Sequence, residues 1–219
     1  MLNFIRSSVG KKYLMGITGL IWAGFVFVHM AGNMLLLVDA NLYNVYGNSI
    51  VSNKPLLFGT EIILLLALIT HVFCAISLTA GNRCSRGRSY QINPNGEKSA
   101  SIGSTWMLVQ GSIILVFIIL HLITFKYGTH YDVTVNGVQM RDLARLINEV
   151  FHEPGYVAWY LVALVFLGIH LTHGVRSVFQ SFGLLHPGYQ RTIHYAGVIY
   201  AIVVAGGFIS QPLYVYLIH

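Results

Sequence analysis

The residues of this chain that could do chemistry are histidines set inside long apolar segments. His170 and His173 stand close together in one apolar run. Three other apolar segments carry one histidine each, at His29, His71 and His121. Burying an imidazole in hydrocarbon costs free energy unless the ring has a hydrogen-bond partner or a function. Its usual functions are metal ligation and proton transfer. These five histidines are therefore the candidate functional residues.

The composition indicates an integral membrane protein. Of the 219 residues, 55% are hydrophobic and only 9% are charged, whereas soluble domains are about a quarter charged. The net charge of +6 does not indicate nucleic-acid binding, because the few cations form no basic helical stripe. Cys74 and Cys84 belong to no C-x-x-C or C-x-x-C-H motif, so covalent c-type haem and thiol redox chemistry have no support.

Hydropathy predicts an all-α bundle of five membrane-spanning helices in a single domain, residues 1–219. The first apolar run is too long for a signal peptide and lacks an A-x-A cleavage site, so we expect it to be retained as a span. The predicted spans are Tyr13–Leu37, Leu56–Thr79, Thr105–Phe125, Tyr156–Val178 and Ile193–Leu217.

Lysine and arginine predict the orientation of the bundle. Nine of these cations lie on the side of the N-terminus and four on the opposite side, and the richer side faces the cytoplasm. We therefore expect the N-terminus in the cytoplasm and the C-terminus outside. The nine are Arg6, Lys11, Lys12, Arg83, Arg86, Arg88, Lys98, Arg176 and Arg191, and the four are Lys54, Lys126, Arg141 and Arg145.

The longest connection, Lys126 to Pro154, has structure of its own. Asn136 and Gly137 between β-branched residues predict a short hairpin. Apolar residues then recur at helical spacing from Met140 to Phe151, which predicts an amphipathic helix. We expect this helix to lie on the membrane surface, either as a plain lid over the end of the bundle or with a role in catalysis.

Counting along each span gives the depth of its histidines. His29 and His121 lie in the outer half, whereas His71, His170 and His173 lie in the inner half. At about 1.5 Å per residue, the two layers are roughly 15 Å apart in a hydrocarbon core about 30 Å thick. The histidines thus form two pairs, His29 with His121, and His71 with one residue of the fourth span.

Imidazoles that face each other at one depth suit bis-histidine ligation of haem iron. Carboxylates and thiolates are missing at these depths, which disfavours zinc or copper. The sequence therefore predicts two b haems. Nearby glycines would let a flat macrocycle approach the helices, and these are Gly24, Gly32, Gly111, Gly168 and Gly174.

The fourth ligand has two candidates. His170 and His173 lie about 60° apart around their helix, so geometry does not choose between them. His170 and His71 are both about eight residues from the cytoplasmic ends of their spans. This match favours His170, with His173 as the alternative. His173 and Arg176 are then candidates to bind a haem propionate or a group next to the ligands.

Two stretches carry a family resemblance. The fourth span and its flanks read FHEPGYVAWY and GIHLTHGVRSVFQSFGLLHPGY, and the first span contains S-x-x-G-K-K, T-G-L and H-M-A-G-N. In these motifs the chain resembles the cytochrome b membrane anchor of succinate dehydrogenase and fumarate reductase. The match is to the five-helix, two-haem type that works with menaquinone, and it covers essentially the whole chain.

The resemblance implies axial ligands at His29, His71, His121 and His170, and a membrane quinone as electron partner. It also implies a flavoprotein subunit and an iron–sulfur subunit in the same complex, a bacterial cytoplasmic membrane as the location, and room for a dimer of complexes. Dicarboxylate chemistry would belong to the partners, since this chain has no flavin- or nucleotide-binding pattern. The basic loop Arg83–Lys98 is the expected docking surface.

Glu61 is the one acidic residue well inside a predicted span, about five residues into the second span and near its outer face. A carboxylate at that depth is expensive unless it is paired or has a task. Because quinone reduction consumes protons, we expect Glu61 at a quinone site beside the outer haem. The alternatives are that it reaches the membrane interface or accepts a hydrogen bond from a haem propionate.

Two other interpretations stay open. The chain could be the haem b subunit of another respiratory enzyme, such as a membrane hydrogenase or formate dehydrogenase. It could also be a transporter whose intramembrane histidines carry protons, although the sequence shows no inverted repeat or pair of broken helices.

Overall fold

The computed structural model describes residue 4 and residues 7–86 and 106–218. Within these ranges the chain forms seven α-helices and one β-hairpin. The helices are α1 (Ser8–Asn33), α2 (Ala40–Ser52), α3 (Lys54–Arg86), α4 (Met107–His121), α5 (Leu143–Phe151), α6 (Pro154–Ser181) and α7 (Gln190–Ile218).

Five of the helices are long and apolar enough to cross a membrane, as the sequence predicted. They are α1, α3, α4, α6 and α7. The first span includes a 3₁₀ turn at Met34–Leu37 that follows α1, and the third includes a π-helical turn at Leu122–Lys126 that follows α4. The observed spans begin and end within a few residues of the predicted ones. The predicted start of the third span, Thr105, lies outside the described residues. The prediction of a helical bundle with five helices long and apolar enough to span a membrane is therefore confirmed.

The long helices alternate in direction, so the bundle has two ends. At the amino end, where α1 begins, Lys11 Nζ donates to Ser77 Oγ of α3 at 2.6 Å. The ring of Phe182, just after α6, lies 5.5 Å from that of Tyr13. The opposite end carries the β-hairpin and is called the hairpin end. Helix α6 packs against α1, α4 and α7, and so occupies the middle of the bundle.

The hairpin pairs β1 (Asp132–Val135) with β2 (Val138–Arg141) in antiparallel register. Asn136 and Gly137 connect the strands with φ angles of 50° and 78°. Positive φ at both central positions belongs to the type I′ turn, whose twist matches that of paired strands. The predicted hairpin is confirmed.

Helix α5 covers the hairpin end of the bundle. It buries Ala144, Ile147 and Phe151 against the protein. The apolar face therefore packs on protein as a lid does, and the position of this helix at the membrane surface stays a prediction. Met140 lies in β2 and not in this helix. The cluster under the lid also includes Leu36, Val157, Tyr160 and Val215.

Helix α2 was not predicted, and it fastens the lid to the rest of the chain. Asp39 begins it, accepting a hydrogen bond from Leu42 N at 2.7 Å. Asn44 is only 2% exposed. Its amide donates to Asp142 Oδ1 at 2.8 Å, and its carbonyl oxygen accepts from Ala144 N at 3.0 Å. One buried side chain thus joins α2 to the first turn of α5.

Candidate functional site

The structure brings His29 of α1 together with His121, the last residue of α4. Their ring centroids are 5.9 Å apart and their planes are nearly perpendicular, at 85°. Phe25 stacks on His29 at 5.3 Å, and Phe208 of α7 lies 5.7 Å from it. Aromatic rings from α1 and α7 therefore surround this pair, which we call the outer pair.

Hydrogen bonds connect the outer pair to two other helices, α6 and α2. Nδ1 of His121 lies 3.2 Å from the hydroxyl of Tyr160 on α6. The Asn33 amide donates to the His29 carbonyl at 2.7 Å and lies 3.4 Å from the His29 ring. Asn33 in turn accepts from the hydroxyl of Tyr43 at 3.1 Å. Burial raises the pKa of Tyr43 to about 12, so its hydroxyl keeps the proton that it donates.

The second pair joins α3 and α6. The ring centroids of His71 and His170 are 6.5 Å apart, and we call these two residues the inner pair. Thr18 Oγ1 of α1 lies 3.1 Å from Nδ1 of His71. Nδ1 of His170 is buried and has no hydrogen-bond partner among the residues that the structure describes.

His170, and not His173, supplies the ring that faces His71. His173 and Arg176 follow on the same helix toward the amino end, and both are half-buried. The structure therefore separates the two candidates for the fourth ligand by position, with His170 inside the ring pair and His173 beyond it.

The two pairs lie at different levels of the bundle. On α1, Thr18 marks the level of the inner pair and His29 that of the outer pair. These residues are about 16 Å apart along the helix axis at about 1.5 Å per residue. This is the separation that depth counting predicted.

The geometry of both pairs fits bis-histidine ligation. An imidazole nitrogen lies about 2 Å from a first-row metal ion, so two rings on opposite sides of one ion have centroids about 6 Å apart. The observed separations are 5.9 and 6.5 Å. Within the described parts of the chain, no three His, Cys, Asp or Glu side chains come together. Each pair thus offers two protein ligands, the number that six-coordinate haem iron takes.

The glycines near the histidines divide into two groups. A side-chain carbon placed at Gly24 or Gly174 would have no atom within 4 Å, and one at Gly111 would lie 3.8 Å from the His170 ring. A side chain at these three positions would thus meet little or no protein. Gly32 instead lies so close to the Tyr46 ring that any side chain would overlap it, and Gly168 packs against Ala205. Those two glycines therefore allow close packing against neighbouring side chains, and the approach of a macrocycle at all five stays a prediction.

Glu61 forms an ion pair with Lys126, with Oε1 and Nζ 2.6 Å apart and about a third of each side chain exposed. Lys126 ends the π-helical turn that follows α4, in which Tyr127 N donates to the Leu122 carbonyl, five residues back. This partner is not evident from the sequence, because a π turn changes the direction of Lys126 and leaves no clear pattern in the sequence.

Comparison of the chain with protein-family models, curated proteins and solved structures found no match. The fold and the site therefore define only a class. The chain is a multi-pass helical protein with five candidate membrane spans and two histidine pairs at separate levels.

Proposed function

We propose that this chain is the cytochrome b membrane-anchor subunit of a quinone-linked succinate dehydrogenase or fumarate reductase. The observation that carries the proposal is the arrangement of four histidines from four long helices in two ring pairs about 16 Å apart. Two electron carriers stacked in this way would connect the two sides of a membrane about 30 Å thick.

Bound haem would supply reversible one-electron transfer between ferric and ferrous iron. The chain's own residues would bind the haems and set their surroundings. His29 and His121 would hold one iron and His71 and His170 the other, while Phe25 and Phe208 keep the outer pair in apolar surroundings. The Trp22 indole N–H is buried without a hydrogen-bond partner in the described part of the chain, so it is a free donor for a propionate. His173 and Arg176 are further candidates at the inner haem.

The partners follow from the family resemblance. A flavoprotein and an iron–sulfur subunit bind on the cytoplasmic side, and menaquinone exchanges electrons at the other side of a bacterial cytoplasmic membrane. This orientation is supported by the nine-to-four distribution of Lys and Arg. The basic docking loop, Arg83–Lys98, lies outside the described residues from position 87 onward.

We expect two non-covalent b haems per chain in the complex purified in mild detergent. Acid–acetone should extract both, because no cysteine motif is present to attach them. The measurements are haem stoichiometry, the reduced-minus-oxidised spectrum and the subunits that co-purify. A complex without haem would favour the proton-transporter interpretation, and a hydrogenase or formate dehydrogenase partner would replace the proposed enzyme.

The quinone site is proposed at the hairpin end, beside the outer haem and the Glu61–Lys126 ion pair. Glu61→Gln should lower quinone-coupled turnover about tenfold. This is less than general acid–base catalysis usually contributes, because water reaches a carboxylate that is 36% exposed. Turnover with an artificial dye that bypasses the haems should not change.

Lys126→Met is the matched control, since it breaks the same ion pair and keeps the carboxylate. If Lys126→Met lowers quinone-coupled turnover as much as Glu61→Gln does, the pair is structural and Glu61 has no proton-transfer role. A parallel loss of dye activity in Glu61→Gln would also contradict the proposal, because it would show a defect in assembly.

A further inference from the structure

We infer that Thr18 is a positioning residue that keeps the proton of the His71 imidazole on Nδ1 and so leaves Nε2 free to bind a metal ion. The inference rests on the proposed function, in which His71 is an axial ligand. In this inference, the protein alone sets the tautomer of the His71 ring before haem binds.

The hydroxyl of Thr18 carries a single proton. Oγ1 lies 2.8 Å from the carbonyl oxygen of Leu14 and 3.2 Å from that of Met15. Both carbonyls can only accept, so the hydroxyl proton is directed to them, as in many helical threonines. Toward His71, the hydroxyl can then offer only its oxygen.

The tautomer of His71 follows from this direction. Oγ1 and Nδ1 are 3.1 Å apart, which is hydrogen-bond distance. Because the oxygen accepts, Nδ1 must carry the hydrogen. A neutral imidazole has one N–H, so Nε2 keeps its lone pair and can ligate iron.

The packing around Thr18 keeps this contact in place. The side chain of Thr18 is only 6% exposed. A side-chain carbon placed at the neighbouring Gly19 would be 3.6 Å from Cε1 of the His71 ring, which is an ordinary contact distance. The ring therefore lies beside α1 while Nδ1 meets the hydroxyl.

Thr18 differs from the partners of the other paired histidines. The Tyr160 hydroxyl beside His121 can donate or accept, and neither role is set by a second acceptor in the described residues. Nδ1 of His170 has no partner among those residues. The Thr18 contact thus differs from these two in having a direction decided by the protein, as does the contact of His29 with the Asn33 amide, which can only donate.

An acceptor on the second ring nitrogen strengthens an imidazole as a ligand. It makes the ring more basic, which holds the metal more firmly and favours the more highly charged ferric state. Removing the acceptor should therefore weaken haem binding at the inner pair and make the potential of that haem more positive. The outer haem should not be affected.

The test compares three variants of the assembled complex. Thr18→Val replaces the hydroxyl with a methyl group of similar shape, and Thr18→Ser keeps the acceptor. Thr172→Val is the matched control, because the Thr172 hydroxyl also donates to its own helix, at Ile169, but has no hydrogen bond to a histidine among the described residues. The measurements are haem titration of the haem-depleted complex and a potentiometric titration of the α-band absorbance.

We expect Thr18→Val to lower haem affinity at the inner pair roughly tenfold and to shift only that haem to a more positive potential. Thr18→Ser and Thr172→Val should resemble the wild type. Equal shifts in Thr18→Val and Thr172→Val, no shift in either, or failure of serine to preserve the potential would overturn the inference. If Thr18→Val does not assemble, Thr18→Ala is judged by the same criteria. Absence of haem from the wild-type complex would instead refute the proposed function.

Discussion

Alanine at His29 or at His121 should remove one haem from the complex, and both substitutions should remove the same one. His71→Ala and His170→Ala should remove the other. The reason is that each ring pair offers two ligands, so the loss of either side chain leaves the iron with one. The measurement is haem stoichiometry together with the component of the reduced-minus-oxidised spectrum that disappears. Added imidazole should restore binding if the cavity is intact.

His173→Ala is the control for this experiment, because its ring lies on the same helix one turn beyond the inner pair. It should retain both haems. The assignment of His170 is wrong if His173→Ala loses the inner haem and His170→Ala keeps it. The pairing itself is wrong if His29→Ala and His71→Ala remove the same spectral component.

Asn44→Ala should release the lid that α5 forms over the hairpin end. The substitution removes two hydrogen bonds and leaves the buried Ala144 N–H without its acceptor. Orphaned buried groups of this kind cost about 1–3 kcal/mol each, so we expect the lid to lose about 3 kcal/mol. Local opening should then rise more than about a hundredfold, which limited trypsin cleavage at Arg141 and Arg145 would measure.

Asn41→Ala serves as the matched control, since Asn41 is on the same helix but exposed. It should be cleaved at the wild-type rate. Should Asn44→Ala be cleaved no faster than Asn41→Ala, the buried amide does not hold the lid and its attachment depends on the apolar cluster alone.

The spanning helices were predictable because the bilayer restricts the possibilities. A run of about 20 apolar residues must satisfy its backbone internally, and a helix does so. The hairpin was also predictable, since Asn136 and Gly137 suit the positive φ angles of its turn. Helix α2 was missed although Asp39 caps it, because its short, partly polar sequence shows no apolar run.

The histidine pairs were predictable in depth but not in detail. Depth follows from the rise per residue, so counting brought His29 to the level of His121. The rotation of each helix about its axis is set by packing, which counting does not reveal. The contacts of Thr18 with His71 and of Tyr160 with His121 depend on that rotation, and only the structure identifies them.

The π-helical turn after His121 limits how the length of this segment can change in evolution. It places Lys126, the partner of Glu61, five residues after the candidate ligand His121, where regular α-helical winding would direct the lysine elsewhere. Deleting one residue from Leu122–Lys126 would restore regular winding and turn the following side chains by about 100°. Insertions and deletions should therefore be tolerated beyond Tyr127, in the connection to the hairpin, and selected against within the turn.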